Sequence, residues 1–258
     1  TRLDGRKKDN KALEKRKTKT KSTNDFTLFI KSSKHIPELE DQSVQLIFTS
    51  PPYWNRRTFA EGSLGSEGTS DEFVENLVEH LQDCHRVLKD RGSFFLNLGD
   101  TRDRQGVLQN IPHKVSIGLG NQGWLLRNTI VWHKLNRKPS SSKSSLTNAY
   151  EFIFHFVKQK DYQYYPTRTD AKEQTGKQIR LVYHRDTNHT ISRSYTPFVT
   201  QPENGANLTD FWDTNIVSTA VARNIPSENG QVHPATFPEK IVILPLIQTT
   251  NEGDLVLD

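Results

Sequence analysis

Ser50-Pro51-Pro52-Tyr53 is the stretch of this chain whose residue types and spacing could do chemistry. It directly follows the apolar run 43–49, SVQLIFT. Proline cannot extend a strand ladder, so the strand stops at Thr49 and a loop begins. Two successive prolines fix φ at two positions and bring no competing backbone N–H. What remains is the Ser50 hydroxyl and the rigidly held Pro51 carbonyl. Both are hydrogen-bond acceptors set in place in advance, which is what an electrostatic catalyst needs. Four such residues could also be an ordinary strand-ending turn. Their place argues for function, because open α/β sheets bind ligands at the carboxyl ends of their strands.

Other chemistries find less support. The single cysteine, Cys84, rules out an internal disulfide and any multi-cysteine metal site. It falls on the apolar face of a helix, as a small buried hydrophobe does. His80, His85, His113, His133, His155, His184, His189 and His233 show no metal-ligand spacing with Cys or carboxylates, so no metal site is expected.

The elements that must position the loop follow from periodicity. FTLFI at 26–30 and SVQLIFT at 43–49 have strand length. Thr69 and Glu72 form a capping box. Phe73, Val74, Leu77, Val78, Leu81, Cys84, Val87 and Leu88 then recur at helical spacing, predicting a helix that ends near Asp90 with Gly92 beyond it. Strands are predicted at 93–98, 125–132 and 150–157, and helices at 112–119 and within 237–250, with a last strand from Leu255. This alternation is an α/β pattern, with helices covering a mainly parallel sheet. Residues 158–230 are polar and weakly periodic and read as an irregular insertion or small second domain.

Length suits one large domain, or one domain with a sizeable insertion. No apolar run of 18 residues exists, so no membrane helix is expected. The basic N-terminus has no apolar core and does not read as a secretory signal. With one cysteine, a reducing cytoplasm is the natural setting. The net charge of +5 is unevenly placed. Residues 1–21 hold ten Lys/Arg against three acids, and residues 134–200 hold twelve against five. Residues 201–258 hold two against eight. A basic block on a folded body can mark a polyanion partner, or be a solvated face beside a disordered tail.

Thr49-Ser50-Pro51-Pro52-Tyr53-Trp54 resembles the (Asp/Asn/Ser)-Pro-Pro-(Tyr/Phe) motif of the S-adenosylmethionine-dependent DNA amino-methyltransferases, and the rest of the chain matches that family in order. Leu64-Gly65-Ser66-Glu67 is similar to a family segment before the capped helix. Arg86-Val87-Leu88-Lys89 with Gly92-Ser93-Phe94-Phe95, and then Asn97-Leu98-Gly99-Asp100, resemble its helix-to-strand passage. Ile111-Pro112, Gly123-Trp124, Trp132-His133-Lys134 with Pro139-Ser140, and Asn148-Ala149-Tyr150-Glu151 follow in the same order. His233-Pro234-Ala235-Thr236-Phe237-Pro238 resembles a stretch that packs near the cofactor. The order fits the circularly permuted (beta) group, in which the catalytic motif precedes the cofactor loop.

The resemblance implies a Rossmann-like methyltransferase sheet with an inserted target-recognition region. It divides the chain into a basic, disordered tail (1–24), the first part of the catalytic core (25–135), the target-recognition region (136–230) and the cofactor side of the core (231–258). A conjugated exocyclic amine is a poor nucleophile. Ser50 and the Pro51 carbonyl would accept its hydrogen bonds, Pro52 would stiffen the loop, and Tyr53 would stack on a base flipped from duplex DNA. The amine would attack the sulfonium methyl in line, with no covalent enzyme intermediate. Serine before Pro-Pro leans toward cytosine N4 over adenine N6. Cytosine C5 chemistry would need a cysteine nucleophile.

Thr49, Ser32, Thr236, Phe237, Pro238 and Asp258 are implied on the S-adenosylmethionine side. Many relatives have Gly-Asp-Ser where this chain has Lys31-Ser32-Ser33. Trp54, Arg56, Arg57, Lys134, Arg168, Arg180, Arg185 and Arg193 are implied on the DNA side. Arg56 and Arg57 could equally be solvated loop charges. Lys134, Arg137, Lys138 and Lys143, with the serines of 140–145, form a phosphate-contacting loop or a plain linker. A Gly-rich loop is expected after Val256-Leu257-Asp258, so the reading preferred is an incomplete chain, with an inactive or split protein as alternative. The implied setting is cytoplasmic restriction-modification, with a cognate endonuclease as partner and a monomer or homodimer as assembly. Rival readings are an adenine-N6 enzyme, an RNA or protein amide methyltransferase, and a non-catalytic DNA-binding partner.

Overall fold

The computed structural model describes residues 26–29, 31–56, 63–137, 139–168, 178–185, 191–198, 207–214 and 237–258. The chain divides into two units, Thr1–Ser33 and Lys34–Asp258. In the first unit, Phe26–Phe29 forms no strand and its apolar side chains are exposed, so the run FTLFI was misread as strand.

The second unit is built on a six-stranded sheet in the order β7-β3-β4-β2-β1-β8. Its strands are β1 (Val44–Thr49), β2 (Leu88–Leu98), β3 (Leu125–Lys134), β4 (Tyr150–Val157), β7 (Phe211–Thr214) and β8 (Leu255–Leu257). Pairs β1–β2, β1–β8 and β3–β7 are parallel. The central strand β4 runs antiparallel to both of its neighbours. Between β1 and β2 lie helices α1 (Ser70–His80) and α2 (Gln82–Val87). Helix α3 (Ile111–Asn121) joins β2 to β3, and α4 (Lys240–Thr249) precedes β8.

Two apolar clusters sandwich the sheet. Phe73, Leu77, Cys84, Val87, Val115 and Leu119 of α1–α3 pack with Val44, Ile47, Phe94, Leu96, Phe154 and Phe156. Ile241 of α4 packs with Leu46, Phe48, Phe95, Ile130, Trp132 and Ile153. β4 therefore buries both faces, and its three phenylalanines mark only one of them. A register irregularity between Val44 and Leu46 explains why Val44 and Ile47, three apart, share a cluster. The irregular residue, Gln45, is buried, and its Nε2 donates to Thr249 O at 3.0 Å and Arg91 O at 3.3 Å.

The capping box is present, with Thr69 Oγ1 accepting from Glu72 N at 3.2 Å and Glu72 Oε2 from Thr69 N at 3.1 Å. The single helix expected to run to Asp90 is two, broken at Leu81, and it gives way to β2 at Leu88. Gly92 lies inside β2 rather than ending the helix. A Cβ there would stand 2.7 Å from Leu88 Cδ1 and 2.9 Å from Gln45 O, so glycine permits the close approach of β1.

The block 136–230, read as a target-recognition insertion, contains β4 at the centre of the sheet and β7 at its edge. It also contains a separate antiparallel hairpin of β5 (Gln178–Arg185) and β6 (Ile191–Phe198). Among the described residues, no helix is long and apolar enough to cross a membrane.

At the amino ends of β1 and β2, Asp83 gathers donors. It accepts from Ile36 N at 2.6 Å and, in a two-pronged contact, from Arg86 Nε at 2.7 Å and Nη2 at 2.9 Å. Arg86 also donates to the carbonyls of Ile36 and Leu39 and to Asp41. The Arg86 hydrogen bond, aided by the Ile36 amide, holds the Asp83 carboxyl down at about 2. This knot fixes the segment that enters β1.

Candidate functional site

Ser50, Pro51 and Tyr53 are half-buried and Pro52 is exposed, in the loop leaving the carboxyl end of β1. The loop is anchored from within. Trp54, expected to face DNA, is instead buried in the α1–α3 cluster, and its Nε1 donates to Glu67 O at 3.0 Å. A large indole whose N–H has a partner gains more from the core than from solvent, so Trp54 is a structural anchor. Asn55 N donates to Gly65 O at 3.0 Å, and Gly65 N to Glu67 Oε2 at 2.8 Å. The Leu64–Glu67 segment thus braces the loop's far side.

Tyr53 is tied on the other side. Its hydroxyl donates to Glu151 Oε2 at 2.9 Å and lies 3.5 Å from Ser50 Oγ. Glu151, the second residue of β4, also accepts from Asn97 Nδ2 of β2 at 3.2 Å and from Lys134 Nζ at the end of β3. Asn97 Nδ2 further donates to Phe152 O at 3.1 Å. Four elements therefore meet at one carboxylate. Burial, and then the Glu151 charge, push the Tyr53 phenol well above its ordinary value, so it remains a protonated donor. Gly99 makes room: a Cβ there would lie 2.8 Å from Tyr53 Cε2 and 3.2 Å from Glu151 Cγ.

Next to the loop, Asp100 accepts from the backbone N–H groups of Thr101, Asn110 and Ile111 at 2.9–3.1 Å, fixing the start of α3. Glu151, Asn97 and Asp100 were not singled out as site residues. For Glu151 and Asn97 the available signal is a charged or amide side chain inside an otherwise apolar strand, in YEFIFHFV and SFFLNL.

On the implied cofactor side, β8 runs parallel to β1 with Ile47 opposite Leu257, which brings Asp258 beside Thr49. Asp258 is exposed; partial loss of solvent around its carboxyl raises its pKa, and a hydrogen bond with the Thr49 side chain opposes the shift. Phe237 packs on Phe48 of β1 with ring centroids 5.3 Å apart, and Pro238 is buried. Thr236 lies outside the described residues. Ser32 belongs to the first compact unit and is exposed there.

On the implied DNA side, Arg56 is exposed and its Nη2 donates to Asp100 O at 3.3 Å. Lys134 is committed to Glu151 and lies over the Trp132 ring, 4.8 Å from its centroid. The structure thus makes it a brace of the site rather than a free phosphate contact. Arg168 is exposed, in a bridge with Asn207. Arg180, Arg185 and Arg193 lie on the β5–β6 hairpin, and Arg57 falls outside the described residues. Cys84 is buried, with its thiol pushed up to about 12 by burial.

Chemically, the loop offers an acceptor hydroxyl beside an aromatic ring whose hydroxyl is held by a carboxylate. The carboxyl ends of two adjacent parallel strands open next to it.

A DNA methylase family model for N6/N4 methyltransferases matches residues 44–258. The chain is 40% identical over 124 residues to type II methyltransferase M.MwoI of Methanothermobacter wolfeii, covering 46% of this chain and 19% of that protein. It is 32% identical over 184 residues to type II methyltransferase M.SfiI of Streptomyces fimbriatus, covering 64% and 44%. The chain thus spans less than half the length of either relative. Its fold is similar to that of PvuII DNA methyltransferase (cytosine-N4-specific), with a TM-score of 0.58 at 18% identity over 88% of this chain and 71% of that one.

Proposed function

The chain belongs to the DNA methylase family of N6/N4 methyltransferases, and from that premise we propose that it methylates the exocyclic N4 of cytosine in duplex DNA. The methyl donor in this reading is S-adenosylmethionine, which supplies an electrophilic sulfonium methyl. The observation that carries the reading is the Ser50–Tyr53 loop at the carboxyl end of β1, braced by Glu151 and adjoining the end of β8.

The residues at that end suit the cofactor. The Asp258 carboxyl and the Thr49 hydroxyl can hold polar and cationic groups, and Phe237 and Pro238 lend apolar walls. Ser50 Oγ and the Pro51 carbonyl accept hydrogen bonds from the amine and draw its lone pair out of conjugation with the ring. Neither Pro51 nor Pro52 has an N–H that could compete. Tyr53 offers a face on which an extruded base stacks. Arg56 and Arg57 beside the loop and the basic residues Arg168, Arg180, Arg185 and Arg193 serve phosphate and base contacts. Within 136–230 the β5–β6 hairpin is the element that reads the target sequence. The setting is restriction-modification in the cytoplasm, beside a cognate endonuclease, with the enzyme acting as monomer or homodimer. Serine ahead of Pro-Pro favours cytosine over adenine.

The test is incubation with tritiated S-adenosylmethionine and mixed-sequence duplex DNA, followed by digestion and identification of the labelled nucleoside. Label in N4-methylcytosine is expected, falling about 10²–10³-fold in Ser50→Ala, as when one stabilising hydrogen-bond partner is removed. Label in N6-methyladenine would overturn the base and keep the mechanism. Absence of label from a protein verified to continue past Asp258 would overturn the catalytic reading in favour of a DNA-binding partner.

A further inference from the structure

The Ser50–Tyr53–Glu151 contacts have a direction. Among the described residues, every side chain bonded to the Glu151 carboxylate is a donor: Lys134 Nζ, Asn97 Nδ2 and the Tyr53 hydroxyl. Lysine has no acceptor atom. The Asn97 amide is oriented by its second bond to the Phe152 carbonyl, which only a donor can make. Tyr53 has a single hydroxyl hydrogen, and at 2.9 Å from Glu151 Oε2 that hydrogen is spent on the carboxylate. The phenol oxygen is then left to accept, and the groups that face it are the Gly99 backbone amide and the one side chain able to turn its hydrogen, Ser50, with Oγ 3.5 Å away. If the Ser50 hydrogen points at Tyr53, the Ser50 lone pairs point elsewhere.

We propose that Glu151 is a positioning residue: by taking the Tyr53 hydrogen it turns the Ser50 hydroxyl so that its lone pairs are free for the substrate's amine. The inference rests on the role given to Ser50 under the proposed function. It adds what that role needs, because a serine hydroxyl can donate as readily as it accepts. A Ser50 that donated toward the amine would withdraw no hydrogen from it. The elevated Tyr53 pKa agrees, since the phenol keeps the hydrogen that the chain requires. The close fit of the Tyr53 ring against Gly99 holds the geometry.

The test compares Glu151→Gln with Tyr53→Phe and the double variant in the methylation assay. Glutamine matches glutamate in size but brings an NH₂ that can donate to Tyr53, which frees the phenol hydrogen to turn toward Ser50. Glu151→Gln is expected to lower kcat about 10- to 100-fold, the range for one charge-assisted hydrogen bond. KM for DNA and the Kd for S-adenosylmethionine should stay within about twofold, because neither ligand touches Glu151 in this account. The double variant should be no slower than the slower single, since both changes cut one chain.

A Glu151→Gln enzyme that turns over like wild type overturns the inference and leaves the proposed function standing. So does a loss that multiplies with that of Tyr53→Phe, or one that appears in KM and melting temperature instead of kcat. A wild-type protein verified to continue past Asp258 that labels no base overturns both.

Discussion

Two carboxylates at opposite ends of the sheet gather donors in similar ways. Asp83, at the amino ends of β1 and β2, is held by Arg86 and the Ile36 amide. Glu151, at the carboxyl end, is held by Tyr53, Asn97 and Lys134. The difference lies in what else the donors can do. Guanidinium and peptide N–H groups have no acceptor face, and the third neighbour, the His35 ring 3.3 Å away, is exposed, so the Asp83 knot passes no orientation to the Ser50–Tyr53 loop and contributes stability. A phenol donates and accepts at once, so the Glu151 cluster passes its orientation on to Ser50. Similar electrostatics thus anchors one end of the sheet and serves reaction at the other.

That contrast can be broken by matched changes at the two ends. The largest expected effect is Asp83→Ala, which leaves Arg86 and the Ile36 amide without their carboxylate. It should cost about 2–3 kcal/mol in urea unfolding while kcat of the folded enzyme stays put. The pH profile carries the same signature. With its pKa held at about 2 against the ordinary 3.8, Asp83 contributes stability at and above about pH 4. That contribution drains away as pH falls toward 2. The wild-type advantage over Asp83→Ala should shrink across that window, and an advantage that persists at pH 2 would argue against the ion pair.

The two glycines that bound the buried part of β2 sharpen the comparison. Gly92→Ala forces a methyl group against the Gln45 carbonyl, 2.9 Å from the new Cβ, and should destabilise by about 1–3 kcal/mol with activity unchanged. Gly99→Ala pushes on the Tyr53 ring and Glu151 and should cost activity, on the order of tenfold, with a smaller drop in melting temperature. Equal activity losses in the two would erase the distinction between the ends. The smallest effect is Thr69→Ala. It removes the α1 cap, about 1 kcal/mol by thermal unfolding, and leaves both carboxylate clusters intact.

What could be read from sequence follows the same division. β1 with its Pro-Pro stop, the Thr69–Glu72 box and the periodic runs of α3, β3, β4 and α4 are local patterns, and local patterns are visible in one sequence. Trp54 was misplaced because its burial depends on Glu67 and α1, not on its neighbours in the chain. The antiparallel course of β4 is not legible locally, because β2 lies far back along the chain and the connection from β3 carries no tight-turn signature. Glu151 escaped notice because its meaning lies in three donors contributed by β2, β3 and the Ser50–Tyr53 loop. The β5–β6 hairpin lay in a stretch whose composition gives little alternation.

The pairing of β1 with β8 also has a bearing on how the molecule comes into being. Val44 in β1 pairs with Leu255 in β8, 211 residues further on. A ribosome working at 5–20 residues per second would need about 10–40 s to supply that partner. Until then one edge of an apolar strand has no ladder neighbour, and such edges invite pairing with other chains. The loop that starts at Ser50 hangs from that strand. Its final setting therefore waits on β8, and slow translation or termination ahead of β8 would cost solubility before it cost catalysis.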